Sequence, residues 1–250
     1  MPVASEIRAE AGRLAAAARE AGLGLRLMGG LAVWLVGPSV RMPPFARDYG
    51  DLDFAVRGLD SRAVTPFLVE QGYVADRMFN SIHGAQRLNF SHPEGLWTID
   101  VVVDALRMSH TIDLHGRLEP GPPTLDLADL LLTKLQVWEI NAKDLGDITC
   151  LLADRPLAAQ PADGESLDTG RILGLTGTDW GLCHTLERNL REVATFAGDR
   201  RPAGAPFDPV VQAESLLAAI EAGRKSVGWR VRARIGERMP WYERPEEVRH

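Results

Sequence analysis

The first sixty residues alternate between helical and extended patterns of apolar positions. Apolar residues recur at helical spacing in residues 5–21, which predicts an amphipathic helix that packs on a sheet. Residues 25–28, which are apolar except for Arg26, predict a strand, and a glycine pair followed by apolar residues predicts a short helix directly after it. A loop over residues 37–50, which contains three prolines, leads to a second strand over residues 51–56.

The same alternation continues to about residue 154. The pattern predicts helices over residues 61–71, 125–135 and 143–152, and a pair of strands over residues 87–90 and 96–103. The unbroken apolar run Val101–Val103 favours a strand that is buried on both faces. Residues 73–86 have no regular period, and residues 108–118 look extended.

The last third of the chain is helical by pattern. Asp179 and Asp208 stand at the N-cap positions of two predicted helices, which Gly198 and Gly223 end. We therefore predict an α+β fold, with a small mixed β-sheet flanked by helices and a helical C-terminal part. The predicted divisions are an N-terminal domain, a linker or long loop, and a helical region, over residues 1–154, 155–178 and 179–250.

Composition narrows the class of protein without identifying it. Apolar residues make up 45% and charged residues 25% of the 250 residues, which is ordinary for a globular protein. The net charge of −6 argues against a protein whose whole surface binds nucleic acid, although a local basic patch remains compatible with it. Cys150 and Cys183 lack metal-ligand spacing and are interpreted as reduced core residues. No signal peptide or membrane-length apolar stretch is visible, so we expect a cytoplasmic protein with no membrane partner.

Three aspartates are the candidate metal-binding residues. Asp51 and Asp53 are one residue apart on a predicted strand, so their side chains point to the same face. Asp100 lies inside the apolar strand 98–103, and Asp104 is the substitute if the register shifts. Carboxylates that share one face repel each other unless a cation lies between them, and carboxylate oxygens are ligands that Mg²⁺ prefers. We predict that Asp51, Asp53 and Asp100 hold Mg²⁺ or Mn²⁺.

The N-terminal half resembles the nucleotidyltransferase fold of the DNA polymerase β type. The resemblance is carried by Met28-Gly29-Gly30 followed by Asp51-Leu52-Asp53, with a third acid from a neighbouring strand. It implies that the Gly29-Gly30 turn approaches the phosphates of a nucleoside triphosphate. Arg47 matches an arginine often found just before the acid pair in the AbiEii-like and MenT-like bacterial group. Arg47 either touches nucleotide or pairs with an acid.

A second resemblance to the same bacterial group begins at Leu125. A leucine-rich helix with one lysine, Lys134, is followed by Lys143-Asp144-Leu145-Gly146-Asp147, which is similar to the later motifs of that group. The resemblance implies that Lys134 contacts nucleotide phosphates and that Asp144 and Asp147 complete or brace the pocket. The alternative is structural: Lys134 extends from a core helix, Asp144 caps a helix, and Asp147 pairs with Lys143.

Together the two resemblances imply a metal-dependent nucleotidyltransferase. Such an enzyme moves a nucleoside monophosphate from an NTP to a hydroxyl of an acceptor, with Asp100 as the expected proton acceptor. The acceptor is tRNA or another RNA, or a small molecule, and relatives in this group include toxins with an antitoxin protein as partner. The rival hypothesis is an inactive nucleotide-binding or partner-binding protein of the same fold.

Two further features stay open between a functional and a structural interpretation. The C-terminal segment 224–238 carries six arginine and lysine residues, with Trp229 within it and Trp241 just beyond. It either binds RNA phosphates and stacks a base, or forms an amphipathic helix with a solvated basic face. His83 either lines a pocket or is an ordinary surface or core residue.

Overall fold

The structure is a computed structural model that describes residues 4–159, 161 and 164–244. The fold is mixed α+β, as the sequence predicts, with a five-stranded sheet and many helices. Contacts divide the chain into two compact units. Unit 1 comprises the described residues of Met1–Val36, Arg47–Leu106 and Asp113–Asp126, and unit 2 comprises those of Gly37–Ala46, Arg107–Ile112 and Leu127–His250.

Unit 1 contains the five-stranded sheet. Its elements are α1 (Ala4–Glu20), β1 (Leu25–Met28), α2 (Gly29–Val36), β2 (Asp51–Val56), α3 (Ser61–Glu70), β3 (Val74–Ala75), α4 (Arg77–His83), β4 (Arg87–Ser91) and β5 (Thr98–Val103). The strand order is β1-β2-β5-β4-β3, in which β2 and β5 run parallel and the other neighbours run antiparallel. Leu27, Phe54, Phe90 and Ile99 are completely buried in this sheet, because the alternating apolar positions of the strands share one face.

Unit 2 is mainly helical. Its elements are a 3₁₀ turn (Ser39–Arg41), α5 (Leu127–Leu135), α6 (Ala142–Asp154), β8 (Leu157–Ala158), β9 (Leu167–Asp168), α7 (Thr169–Thr176), α8 (Trp180–Asp199), α9 (Pro209–Ala222), α10 (Val227–Ile235) and a second 3₁₀ turn (Gly236–Arg238). Two short strands, β6 (Ala105–Arg107) and β7 (Thr111–Asp113), contain the points at which the chain leaves unit 1 after Leu106 and returns to it at Asp113.

The predicted caps of the long helices are confirmed. The Asp179 side chain accepts a hydrogen bond from the backbone N–H of Leu182 at 3.0 Å, and Asp208 accepts one from Val210 at 3.0 Å. Each bond satisfies an N–H that the first helical turn leaves without an intrahelical partner. Cys150 and Cys183 are buried, as expected of core residues.

Most predicted elements are confirmed, and three predictions are wrong. The irregular segment 73–86 contains β3 and the helix α4, and the extended segment 108–118 is a strand only at Thr111–Asp113. The side chain of Asp60, which precedes α3, makes no capping hydrogen bond and instead accepts hydrogen bonds from Arg57 and from the backbone of Gly24. Residues 155–178, expected to be a linker or long loop, hold β8, β9 and α7 within the part of them that is described.

Among the residues that the structure describes, every helix is either too short or too polar to span a bilayer.

Candidate active site

The acid pair lies at the start of β2, where one face of the sheet is open. Along this strand Asp51 is exposed and Asp53 is partly exposed, whereas Leu52 and Phe54 are completely buried. From Ala55 onward both faces of the strand are buried. The open face is therefore restricted to the beginning of the strand, and both carboxylates point into it, as the sequence predicts.

The third predicted acid is the direct neighbour of the second. Asp100 on β5 is the register partner of Asp53 on β2, and Thr98 is the partner of Asp51. Because register partners on adjacent strands point to the same face and lie about 5 Å apart, Asp53 and Asp100 place two carboxylates side by side. Asp104, the substitute ligand, instead accepts a hydrogen bond from the backbone N–H of Gly58 at 2.7 Å.

The carboxylate of Asp100 is held by an arginine that the sequence analysis did not select. Nε of Arg87, on β4, donates to Oδ1 and Oδ2 of Asp100 at 2.7 and 2.8 Å, and its Nη2 also donates to Oδ2. These hydrogen bonds raise the pKa of Arg87 against the opposing effect of burial, and the charges of Asp100 and Asp53 add to the rise. Arg87 therefore places a positive charge on the acid face.

This ion pair decides how well the acids fit a metal ion. Asp51 and Asp53 have the residue type and the exposure that a divalent cation requires. Asp100 does not join them, because both of its oxygens already accept hydrogen bonds from Arg87. Within the described residues there is no group of three or more histidine, cysteine, aspartate or glutamate side chains arranged to hold a metal ion. The three carboxylates as they stand therefore do not form one coordination site.

The predicted glycine turn lies directly against the acid pair. Gly29 has a φ of +68°, a conformation that side chains disfavour. A Cβ at this position would lie 2.1 Å from Oδ2 of Asp53, so only glycine lets the backbone come this close to the carboxylate. The turn opens α2, whose first N–H groups have no intrahelical acceptor. Backbone donors and the Asp53 carboxylate thus meet at one point.

Arg47 borders the same turn. A Cβ on Gly30 would lie 2.6 Å from Nη2 of Arg47, and the Arg47 guanidinium lies over the Tyr49 ring at 4.7 Å. Arg8 donates to the backbone carbonyl of Arg47 at 2.9 Å and lies over the Trp34 ring at 5.4 Å. The structure therefore brings the predicted Arg47 next to the glycine pair and braces its backbone from α1.

Lys134 and the later acids form a separate cluster within unit 2. The Lys134 ammonium lies 2.7 Å from Oδ1 of Asp144 and 3.1 Å from Oδ2 of Asp147, so Asp147 pairs with Lys134. The Lys134 side chain is 14% exposed and that of Asp147 is 0% exposed. Burial by itself lowers the pKa of Lys134, but the charges of Asp147 and Asp144 raise it above its ordinary value. The N-cap of α6 is Asn141, which accepts hydrogen bonds from the backbone of Lys143 and Asp144.

The C-terminal segment forms the predicted helix. No residue of α10 is buried, and its apolar positions Val227, Val231 and Ile235 are 73%, 55% and 36% exposed. Arg232 lies over the Trp180 ring at 4.6 Å and donates to backbone carbonyls at the end of the helix. His83 ends α4 and contacts the ring of Phe79 at 4.6 Å. These contacts describe local packing, and a role in RNA binding stays a prediction.

Comparison with known proteins adds no assignment. No family model matches the chain, and no curated protein matches it either. The functional argument therefore depends on the residues of the acid face and their geometry.

Proposed function

We propose that the protein is a nucleotidyltransferase that moves a nucleoside monophosphate from an NTP to a hydroxyl group of an acceptor. One observation carries this proposal: the Asp51–Asp53 pair shares an open face with Asp100, and Asp53 lies against the Gly29 turn. Carboxylates beside backbone N–H donors bring together what a metal-bound triphosphate needs, namely ligands for the cation and donors for the phosphates.

The residues of unit 1 have distinct proposed roles. The N–H groups at Gly29 and Gly30 and the guanidinium of Arg47 hold phosphate oxygens, because they are donors beside an exposed acid pair. Asp51 and Asp53 are the proposed ligands of Mg²⁺ or Mn²⁺, which would neutralise phosphate charge when bound. Asp100 is the third predicted metal ligand, and this role requires its ion pair with Arg87 to break.

Lys134 and Asp147 remain predicted nucleotide-binding residues by resemblance alone. Their contacts support a structural role, since the ammonium is shared between two carboxylates and Asp147 has no exposed surface. A phosphate would have to compete with both acids for the Lys134 ammonium. We therefore base the proposal on unit 1.

The proposal is tested by incubating the purified protein with each α-labelled NTP and Mg²⁺ or Mn²⁺, with total tRNA or with aminoglycosides as acceptor. We expect label in one acceptor class with the wild type and none with the Asp51→Ala, Asp53→Ala double variant. Asp48→Ala is the matched control, because it removes an exposed acid three residues before the pair. Label in RNA assigns an RNA acceptor, which makes an antitoxin partner worth seeking, and label in the small molecule assigns that class. Transfer that is equal in the double variant and the wild type contradicts the proposal.

A second candidate function is a nucleotide-binding or partner-binding protein without turnover. The Arg87–Asp100 ion pair favours it, because an acid that stays paired with arginine neither binds a metal ion nor accepts a proton. Calorimetric titration with NTP and Mg²⁺ separates the two candidates. Nucleotide binding without transfer to any acceptor supports an inactive nucleotide-binding protein, and absence of binding leaves partner binding.

A further inference from the structure

Arg8 is a second arginine near the glycine turn, and neither the motif nor the resemblance accounts for it. It lies on α1, and its Nη2 donates a hydrogen bond to the backbone carbonyl of Arg47 at 2.9 Å. Its guanidinium carbon lies 5.4 Å from the centre of the Trp34 ring and 5.7 Å from the centre of the Tyr49 ring. Two aromatic rings and one carbonyl therefore hold this cation in place.

The helix α2 connects Arg8 to the glycine turn. Gly30 and Trp34 are four residues apart on α2, so they lie on the same side of the helix, about one turn from each other. A Cβ on Gly30 would lie 2.6 Å from Nη2 of Arg47 and 2.9 Å from Cε1 of Tyr49, so these two residues cover that side at the turn. Arg8 covers the same side at Trp34. Two guanidinium groups thus follow one side of α2 from its N-terminal end.

The charge of Arg8 is not matched by its hydrogen-bond acceptor. A guanidinium has five N–H donors. Among the described residues, Arg8 donates to a neutral carbonyl, and its Nε is buried without an acceptor. The guanidinium of Arg47 lies against the same tyrosine ring, 4.7 Å from the ring centre. Like charges that share one ring disfavour each other, and an anion that contacts both of them relieves this repulsion.

A triphosphate has the anionic groups that such a pair of arginines binds. The planar fork of a guanidinium matches phosphate oxygens with two parallel hydrogen bonds. Arg8 and Arg47 are both partly exposed, so a ligand from solvent reaches them. A chain of linked phosphate groups can contact both arginines and also the N–H groups that open α2. These contacts need no metal ion, because the arginines themselves neutralise phosphate charge.

We propose that Arg8 and Arg47 form a triphosphate-binding site that holds its ligand without a metal ion, with Trp34 and Tyr49 positioning the Arg8 guanidinium. This inference deepens the proposed function and rests on it, since the proposed function makes the triphosphate part of an NTP. It does not require the three aspartates to share a metal ion.

The test measures binding of inorganic triphosphate, and of each NTP, by calorimetry at low ionic strength in EDTA, which removes divalent cations. For Arg8→Gln we expect binding about tenfold weaker than for the wild type, a change of about 1.4 kcal/mol. Arg8→Lys keeps the charge without the fork, so we expect a smaller loss of about threefold. Arg19→Gln is the matched control, because it removes an exposed arginine from the last turn of the same helix, and we expect it to bind like the wild type.

A double variant separates contact with the ligand from support of Arg47. If Arg8 contacts the triphosphate, Arg8→Gln also weakens binding in an Arg47→Gln background. If Arg8 acts only by holding the Arg47 backbone, the second substitution adds no loss, and this result overturns the direct contact. Melting temperatures show whether each variant folds. If Arg8→Gln does not fold, Arg8→Lys decides, and binding equal to the wild type overturns the inference.

The outcomes distinguish this inference from the proposed function. Unchanged triphosphate affinity in folded Arg8→Gln overturns the inference, and so does a wild type that binds no triphosphate in EDTA. In both cases, transfer of labelled nucleotide with Mg²⁺ or Mn²⁺ would still support the proposed function. Triphosphate binding that depends on Arg8, in a protein that transfers no label to any acceptor, supports the inference while the proposed transferase activity fails.

Discussion

Two ion clusters of this protein, one in each unit, have similar composition and different settings. On the sheet of unit 1, Arg87 pairs with Asp100 in contact with water, beside two further acids. In unit 2, Lys134 pairs with Asp144 and Asp147, and the side chain of Asp147 has no exposed surface. Each cluster contains one cation and an excess of carboxylates.

The comparison teaches that the setting decides what an ion pair does. Removing the cation that neutralises a completely buried carboxylate is costly, because the acid would keep an uncompensated charge away from water. An ion pair in partial contact with water costs less to break, because solvent replaces part of the lost attraction. The sequence resemblance assigns nucleotide contacts to both regions, and the cation of unit 1 is the more exposed of the two, at 40% for Arg87 against 14% for Lys134.

Deleting the cation of each cluster should give the largest contrast. We expect Lys134→Met to lower the free energy of unfolding by about 3–5 kcal/mol, because Asp147 stays buried and loses the ammonium. Arg87→Met should lower it by less than about 1 kcal/mol, since water reaches Asp100. Urea denaturation followed by circular dichroism measures both. Equal losses in the two variants would remove the distinction between the clusters.

Double-mutant cycles should give the next largest effect. The coupling between Lys134→Met and Asp147→Asn should be about 2–3 kcal/mol, because both substitutions act on one buried pair. The coupling between Arg87→Met and Asp100→Asn should stay below about 1 kcal/mol. Thermal or urea unfolding of the single and double variants provides these values. A stronger coupling on the sheet than in unit 2 would reverse our interpretation.

The alkaline pH dependence should be smaller and should belong to Lys134. Its pKa in the folded protein lies above the ordinary value of 10.5, so the charged form is favoured by folding. The resulting stability is fully present below that ordinary value and is lost as the pH rises through the folded pKa. The stability gap between wild type and Lys134→Met should therefore stay constant from about pH 6 to 9 and shrink above about pH 10.5. A gap that shrinks below pH 9 would contradict this assignment.

Salt should produce the smallest effect. Because ions screen exposed charges more than buried ones, 1 M NaCl should weaken the Arg87–Asp100 coupling by a few tenths of a kcal/mol. The Lys134–Asp147 coupling should not change measurably. Repeating both cycles at low and high salt tests this, with sodium sulfate avoided because it also strengthens apolar burial.

The sequence predicts the parts of the fold that a local pattern encodes. The bounds of β2 are predicted without error, because the alternation over residues 51–54 runs directly into the apolar pair Ala55-Val56. The long helices α8 and α9 are predicted from their aspartate caps, and Gly223 follows the end of α9 as predicted, whereas α8 continues through Gly198 to Asp199. The helix α4 is missed because it has only seven residues; Met78 and Ile82 stand at helical spacing, but they are 77% and 69% exposed and do not form a buried face.

The candidate site is predicted only in part, because some of its contacts depend on strand register. The strand β2 carries both Asp51 and Asp53, and the helix α2 begins at Gly29, so a local pattern is enough to find these residues. Arg87 is 13 residues from Asp100 and becomes its partner through the pairing of β4 with β5. The pairing of Ser91 with Thr98 sets the register of β4 against β5, and this register places Asn89 opposite Asp100 and Arg87 within reach of Asp100. One structural alternative pairs Asp147 with Lys143, but the carboxylate of Asp147 is completely buried and pairs with Lys134.

The interleaving of the two units also determines when each can form during synthesis. Residues 37–46 leave the ribosome early, yet they belong to the unit whose main body starts at Leu127. At a translation rate of roughly 5–20 residues per second, about 4–16 s pass before the first residue of that body is made. During this interval Val40 and Phe45, which are buried in the finished protein, face water or a chaperone. The nascent chain therefore exposes an apolar segment until the later part of unit 2 has been made and can bury it.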